Sequence, residues 1–159
     1  MKGWKAAAAL ILCIAACLAA GGLGAVATSR SVASWYPVLN KPSWTPPNWL
    51  FGPVWTLLYI AMGVAVWRVA RTADRQRVGG AIALFAAQLL LNAGWSFLFF
   101  GARRPGWAAL EILALWAAIA ATLRAFARID PWAAGLLVPY LAWVSYAAAL
   151  NLAIWRLNP

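Results

Sequence analysis

"WYPVLNKPSWTPPNWLFGPVW", residues 35–55, places four tryptophans and five prolines in 21 positions. The other long stretches of the chain are mostly Ala and Leu. Proline fixes φ and pushes the residue before it into extended geometry. Pro37, Pro42, Pro46 and Pro47 therefore predict a stiff, polyproline-like strap over 36–47 that loses little entropy when it is ordered. On both sides of the strap the chain is apolar enough to cross a bilayer.

The 159 residues are 65% hydrophobic and only 10% charged, with a mean hydropathy of +0.77, far from the balance of a water-soluble domain. A span takes roughly 20 apolar residues to cross a ~30 Å hydrocarbon core. Five segments qualify, at about 5–27, 46–70, 78–101, 106–127 and 131–154, with a lid loop at about 28–45. The expected fold is all-α, an integral membrane bundle of five transmembrane helices forming a single domain over 1–159, in a bacterial cell membrane. Lys2 and Lys5, the Ala/Leu run and Ala25-Val26-Ala27 also resemble a signal peptide with its cleavage site. The run from Ala6 is long enough to span, however, and is expected to be retained.

The boundaries carry their own chemistry. Asp130-Pro131 has the form of an N-cap followed by proline at the first helical position, and Thr45-Pro46 repeats that form before the second span. Arg103-Arg104-Pro105-Gly106 predicts a short turn. Pro53 and Pro139 lie inside spans and are expected to bend them.

Thirteen Lys and Arg against three acids give a net charge of +10. The basic residues fall in short clusters between apolar runs, a pattern that orients a membrane protein rather than one that binds nucleic acid. One side collects Lys2, Lys5, Arg68, Arg71, Arg75, Arg77, Arg124 and Arg128; the other holds Arg30, Lys41, Arg103, Arg104 and Arg156. The N-terminus is thus expected on the cytoplasm-like side and the strap on the opposite one.

With no histidine, two cysteines and three acids, the chain has no route to a His-rich metal site or a Ser-His-Asp triad. Cys13 and Cys17, four apart in the first span, read as small hydrophobes. Trp55 and Tyr59 share a helix face; so do Gln88, Asn92, Trp95 and Phe99, and again Trp143, Ala147 and Asn151. A bare amide in hydrocarbon costs several kcal/mol on the less compensated scales, so these stripes should point inward. They serve either as hydrogen-bonding glue between helices or as the wall of a ligand pocket. In the same way Trp35, Tyr36, Trp44 and Trp49 suit an interfacial aromatic belt or a lid over such a pocket. Glu111, about one turn inside the fourth span, is expected to pair with Arg103 or Arg104 at the interface. An aromatic pocket spotted with amides suits a flat apolar ligand, a tetrapyrrole or a sterol. No metal site and no required cofactor is expected, with porphyrin or haem entering as a ligand held mainly by stacking.

Residues 35–59, "WYPVLNKPSWTPPNWLFGPVWTLLY", resemble the signature of the translocator protein or tryptophan-rich sensory protein family (TspO/MBR). "AAQLLLNAGWSFLFFGAR" at 86–103 and "PYLAWVSYAAALN" at 139–151 resemble its third-span and fifth-span motifs in the same order. The resemblance implies a five-helix bundle, often a homodimer, with a pocket closed by the first loop. It implies binding of protoporphyrin-like tetrapyrroles, with membrane sterol in animal members. Tyr36, Trp55, Tyr59, Asn92, Trp95, Trp143 and Ala147 match the family's pocket positions; Gln88 joins the ligand-binding set from its stripe. Trp55 and Trp143 match the tryptophans implicated as catalytic where bacterial members degrade porphyrin with light and oxygen. The alternatives are a tetrapyrrole transporter or a sterol- or lipid-binding membrane protein. "LNLAIWR" at 150–156 departs from the animal sterol motif by placing Leu152 where a tyrosine belongs.

Overall fold

The computed structural model describes residues 3–72 and 75–159. Five helices carry them: α1 (Gly3–Ser34), α2 (Asn48–Ala70), α3 (Arg75–Ser96), α4 (Pro105–Ala127) and α5 (Pro131–Leu157). Each is long and apolar enough to cross a membrane, as the sequence predicted, and no strand occurs among the described residues. Lys2, counted above with the basic residues of the N-terminal side, lies outside the described residues, and the side chain of Arg75 is likewise not described.

The first boundary differs from expectation. Helix α1 runs on to Ser34, so the connection spans 35–47 rather than 28–45. The polar segment after Ala27 stays helical, with most of its hydroxyls turned back onto the helix's own carbonyls. Thr28, Ser29 and Ser34 donate to the carbonyls of Gly24, Val26 and Arg30 at 2.9, 3.2 and 2.7 Å. No proline intervenes before Pro37. At about 1.5 Å per residue, 32 residues extend roughly 48 Å, so α1 projects beyond the hydrocarbon.

Helix α2 likewise begins later than Thr45-Pro46 suggested. The Thr45 hydroxyl bonds the Pro42 carbonyl at 2.7 Å and closes a turn, while Pro47 stands at the helix boundary with no side-chain cap. Pro46 precedes a second proline, which favours extended backbone there and delays the helix. The strap is not uniformly extended either. Tyr36–Val38 form one 3₁₀ turn, and Leu39 returns to extended geometry with ψ 143°.

Asp130 caps α5 as expected, accepting from the backbone N–H of Trp132 at 2.9 Å and of Ala133 at 3.2 Å. It also receives Arg68 of α2, Nε to Oδ2 at 2.8 Å and the second nitrogen to Oδ1 at 3.2 Å. The Arg68 hydrogen bond, aided by the two backbone donors, holds this carboxyl below the usual aspartate range. A depressed folded-state pKa stabilises above the unfolded value, and the contribution fades as pH falls through the lower, folded one. Asp130→Ala should therefore lower stability by about 1–2 kcal/mol at neutral pH, mostly from the lost cap. In thermal unfolding the variant and the parent should draw together as pH falls below the ordinary aspartate range; a gap that persists undiminished in acid would contradict this account.

The helices close a ring in the order α1, α2, α5, α4, α3, with each packing on its neighbours. Met62, Val69, Leu115, Ile119, Phe126 and Leu137 fill the core toward the N-terminal side of the bundle. The outer surface is apolar as well: Leu12, Val26, Leu90 and Trp132 are each more than two-thirds exposed. That is the surface a bilayer requires. Gly63 brings α2 against the backbone of Ile14, and the Trp67 indole donates to the Ala6 carbonyl at 3.1 Å, so α1 and α2 are joined at the end away from the strap. The third span ends in a π-helical turn, Phe97–Gly101, and Arg103 follows at φ 54° to reverse the chain into α4.

An aromatic cavity under the strap

Between α1, α2, α3 and α5, beneath the strap, lies a cavity of about 600 Å³. Its walls are rings. Trp55 stacks on Tyr59 with centroids 5.6 Å apart, and Trp95 on Phe99 at 5.2 Å. Phe51 meets Trp143 edge-on at 5.9 Å. Tyr36, fully buried at the tip of the 3₁₀ turn, leans on Phe99 and Phe100 and closes the top; burial pushes its phenol up from the ordinary range.

The strap is fastened to α5 and the residue after it at two points, and Lys41 braces it from within. Asn40 and Asn158 exchange hydrogen bonds, Asn40 N–H to Asn158 Oδ1 at 3.0 Å and Asn158 Nδ2 to the Asn40 carbonyl at 2.9 Å. Tyr146 donates to the Trp44 carbonyl at 2.6 Å and meets its ring edge-on. Lys41 Nζ gathers the carbonyls of Tyr36 at 2.8 Å and Leu39 at 2.9 Å while lying 5.0 Å from the Tyr36 ring centroid. Trp49, by contrast, is 72% exposed and suits the belt role.

Of the residues singled out in the sequence, Tyr36, Trp55, Tyr59, Asn92, Trp95, Trp143 and Ala147 line the cavity. Gln88 does not. One turn deeper than Asn92, it is sealed in the core, accepting from Tyr140 Oη at 2.8 Å with its amide nitrogen 3.9 Å from Met62 Sδ. The amides on the lining are engaged too. Tyr59 donates to Asn92 Oδ1, and Asn92 Nδ2 to Tyr140 Oη at 3.0 Å. Asn151 accepts from Trp95 Nε1 at 3.0 Å and donates to the Pro105 carbonyl at 2.8 Å. Glue and pocket are thus one arrangement, in which the amides tie helices together and orient the rings that form the wall.

Glu111 departs from expectation. Both carboxyl oxygens are buried without a hydrogen-bond partner, and no ion pair with Arg103 or Arg104 forms. The side chain turns toward Gly94 of α3, not back to the turn that carries the arginines. Cys17 is buried and Cys13 half-buried, both free within the core, in keeping with their apolar reading.

Sequence reasoning missed the α1 wall. Gly22, Ala25, Ser29 and Ala33 form an exposed stripe that borders the cavity across from Gly52 and Thr56 of α2. These small residues leave a slot between the two helices on the strap side of the Gly21–Tyr59 contact. Their spacing is visible in the sequence but stands out little in so Ala-rich a helix. Among the described residues no charged side chain belongs to the lining.

The family model for TspO/MBR matches residues 13–156. The chain belongs to the TspO/MBR family. It is 48% identical to the tryptophan-rich protein TspO of Chlorobaculum tepidum over 94% of this chain and 96% of that one. It is 43% identical to the tryptophan-rich sensory protein of Cereibacter sphaeroides, covering 85% of each. The human translocator protein shares 43% identity across 87% of this chain and 86% of its own. Membership in TspO/MBR and five apolar helices together make this a multi-pass membrane protein.

Proposed function

We propose that this TspO/MBR protein is a membrane receptor or sensor that binds a tetrapyrrole of the protoporphyrin type in the cavity under the strap. The observation that carries the proposal is the wall itself: an uncharged cavity of about 600 Å³ faced by Trp55, Trp95, Trp143 and Tyr36 suits a flat, apolar macrocycle. A relative named for a sensory role supports the receptor side of the reading. Trp55 and Trp143 on the same lining also suit electron donation to a photoexcited porphyrin, and among the described residues the lining carries no carboxylate or amine side chain for acid–base hydrolysis.

Protoporphyrin titrated into the purified protein should quench tryptophan fluorescence saturably. Replacing Trp55 and Trp143 together by Phe should weaken binding about tenfold, since each aromatic contact contributes about 0.5–1.5 kcal/mol. Illuminated in air, the bound porphyrin should lose its Soret absorbance faster on the parent than on the double variant. Unchanged affinity in the double variant would remove this cavity as the binding site.

A further inference from the structure

The end of the bundle away from the strap carries a built corner that the cavity does not use. Antiparallel α1 and α2 meet there, joined by the Trp67 Nε1 bond to the Ala6 carbonyl at 3.1 Å and, about two turns deeper, by the close approach of Gly63 to the Ile14 backbone. Two cations flank this seam, each held over an indole. The Arg71 guanidinium carbon lies 4.4 Å from the Trp67 ring centroid, and Lys5 Nζ lies 5.6 Å from that of Trp4. Lys5 and Arg71 are both exposed. Stacking fixes where such a charge stands, while the in-plane N–H groups of a stacked guanidinium remain able to donate to an anion.

No acid within the described chain answers these cations. Among the described residues Asp130 is the only acid on this side, and it is taken by Arg68 at 2.8 Å and by the first turn of α5. Below the cations the surface turns apolar at once. Ile11 and Leu12 follow Trp4 and Lys5 on the same faces of α1, about 10 Å deeper, and are 65% and 69% exposed. A soluble anion would use the charges and leave the apolar strip bare. Positive charge above exposed hydrocarbon-facing residues, with tryptophans at the boundary, complements a molecule that is anionic at its head and apolar along its length.

We propose that the corner formed by Trp4, Lys5, Trp67 and Arg71 is a binding site for an anionic phospholipid of the leaflet on the N-terminal side, with its phosphate received by Lys5 and Arg71 and its acyl chains lying along Ile11 and Leu12. A zwitterionic lipid carries its own cation beside the phosphate and gains little there. Bound across the seam, the lipid ties α1 to α2 and supports the helix pair between which the cavity opens. The site is separate from the cavity and does not depend on what the cavity binds.

Purified protein in detergent is titrated with phosphatidylglycerol or phosphatidylcholine, retained lipid is counted by native mass spectrometry, and the thermal midpoint is read alongside. Phosphatidylglycerol should be retained about twentyfold more tightly at low salt, since each basic residue at a membrane surface contributes about fivefold. It alone should raise the midpoint, and its advantage should shrink in about 0.5 M salt, where screening reaches only a few ångströms. Lys5→Gln with Arg71→Gln should abolish both effects while leaving the lipid-free midpoint unchanged, which shows that the bundle is intact. Lys5→Arg with Arg71→Lys should keep most of the preference, and Arg124→Gln with Arg128→Gln, on the same side at the end of α4, should leave it unaltered. Equal retention of the two lipids by the parent would overturn the inference. A preference that survives the Lys5 and Arg71 glutamine pair, or that falls as far in the Arg124 and Arg128 pair, would overturn the assignment to this corner in favour of diffuse surface charge. Inorganic phosphate reproducing the midpoint gain would overturn the phospholipid as the occupant.

Discussion

Gly63→Val should prevent stable assembly of the bundle, lowering stability by about 3 kcal/mol or more. A Cβ at this position would lie 2.5 Å from the Ile14 Cα and 2.8 Å from its backbone nitrogen. Backbone atoms have no alternative rotamer, so relief requires α1 to move away from α2 as a body. The displacement would also disturb the Trp67–Ala6 bond nearby and the Gly21–Tyr59 contact that closes the cavity floor. Thermal unfolding in detergent, with the fraction eluting as a single species, measures the effect, and Gly63→Ala should give a smaller loss of the same kind. A valine variant with an unchanged midpoint would show that the close approach is not a constraint.

Ala147→Phe should have the opposite profile, with the fold retained and ligand binding lost by more than tenfold, or about 1.4 kcal/mol. Ala147 lies on the cavity wall one turn from both Trp143 and Asn151. A phenyl group there enters empty volume instead of a packed contact, so it meets no backbone and should leave the thermal midpoint unchanged or raised. The same ring occupies the space that the ligand's flat body needs. Porphyrin quenching alongside a thermal melt separates the two effects. Retained affinity would mean that the ligand does not use this part of the cavity.

Both substitutions enlarge a small residue in an apolar helix, and the sequence gives no means of ranking them. Gly63 and Gly52 are the same residue in the same span, yet a Cβ at 63 would strike Ile14 whereas one at 52 would meet nothing within 4 Å. Gln88 and Asn92 share a stripe. Tyr140, arriving from α5, bonds both, sealing Gln88 in the core while Asn92 remains on the lining. Glu111 was expected to reach the interface and meet Arg103 or Arg104 because it lies about one turn inside its span, but its position on α4 turns it toward α3. In each case a residue from another helix decides, and one-dimensional spacing does not report which residue arrives.

The sequence by itself determined the five spans, the cap at Asp130, and the inward orientation of Asn92, Trp95, Trp143 and Asn151. Those features were legible because hydrocarbon offers no hydrogen-bonding partner, so length and the placement of amides carry information in a membrane. Only the tertiary structure decided that α1 supplies a wall and that the cavity opens between α1 and α2. Lipid and protein interior are both apolar, so a membrane helix built of Ala, Gly and Leu has no hydrophobic period to mark which face meets a cavity, a neighbour or the bilayer.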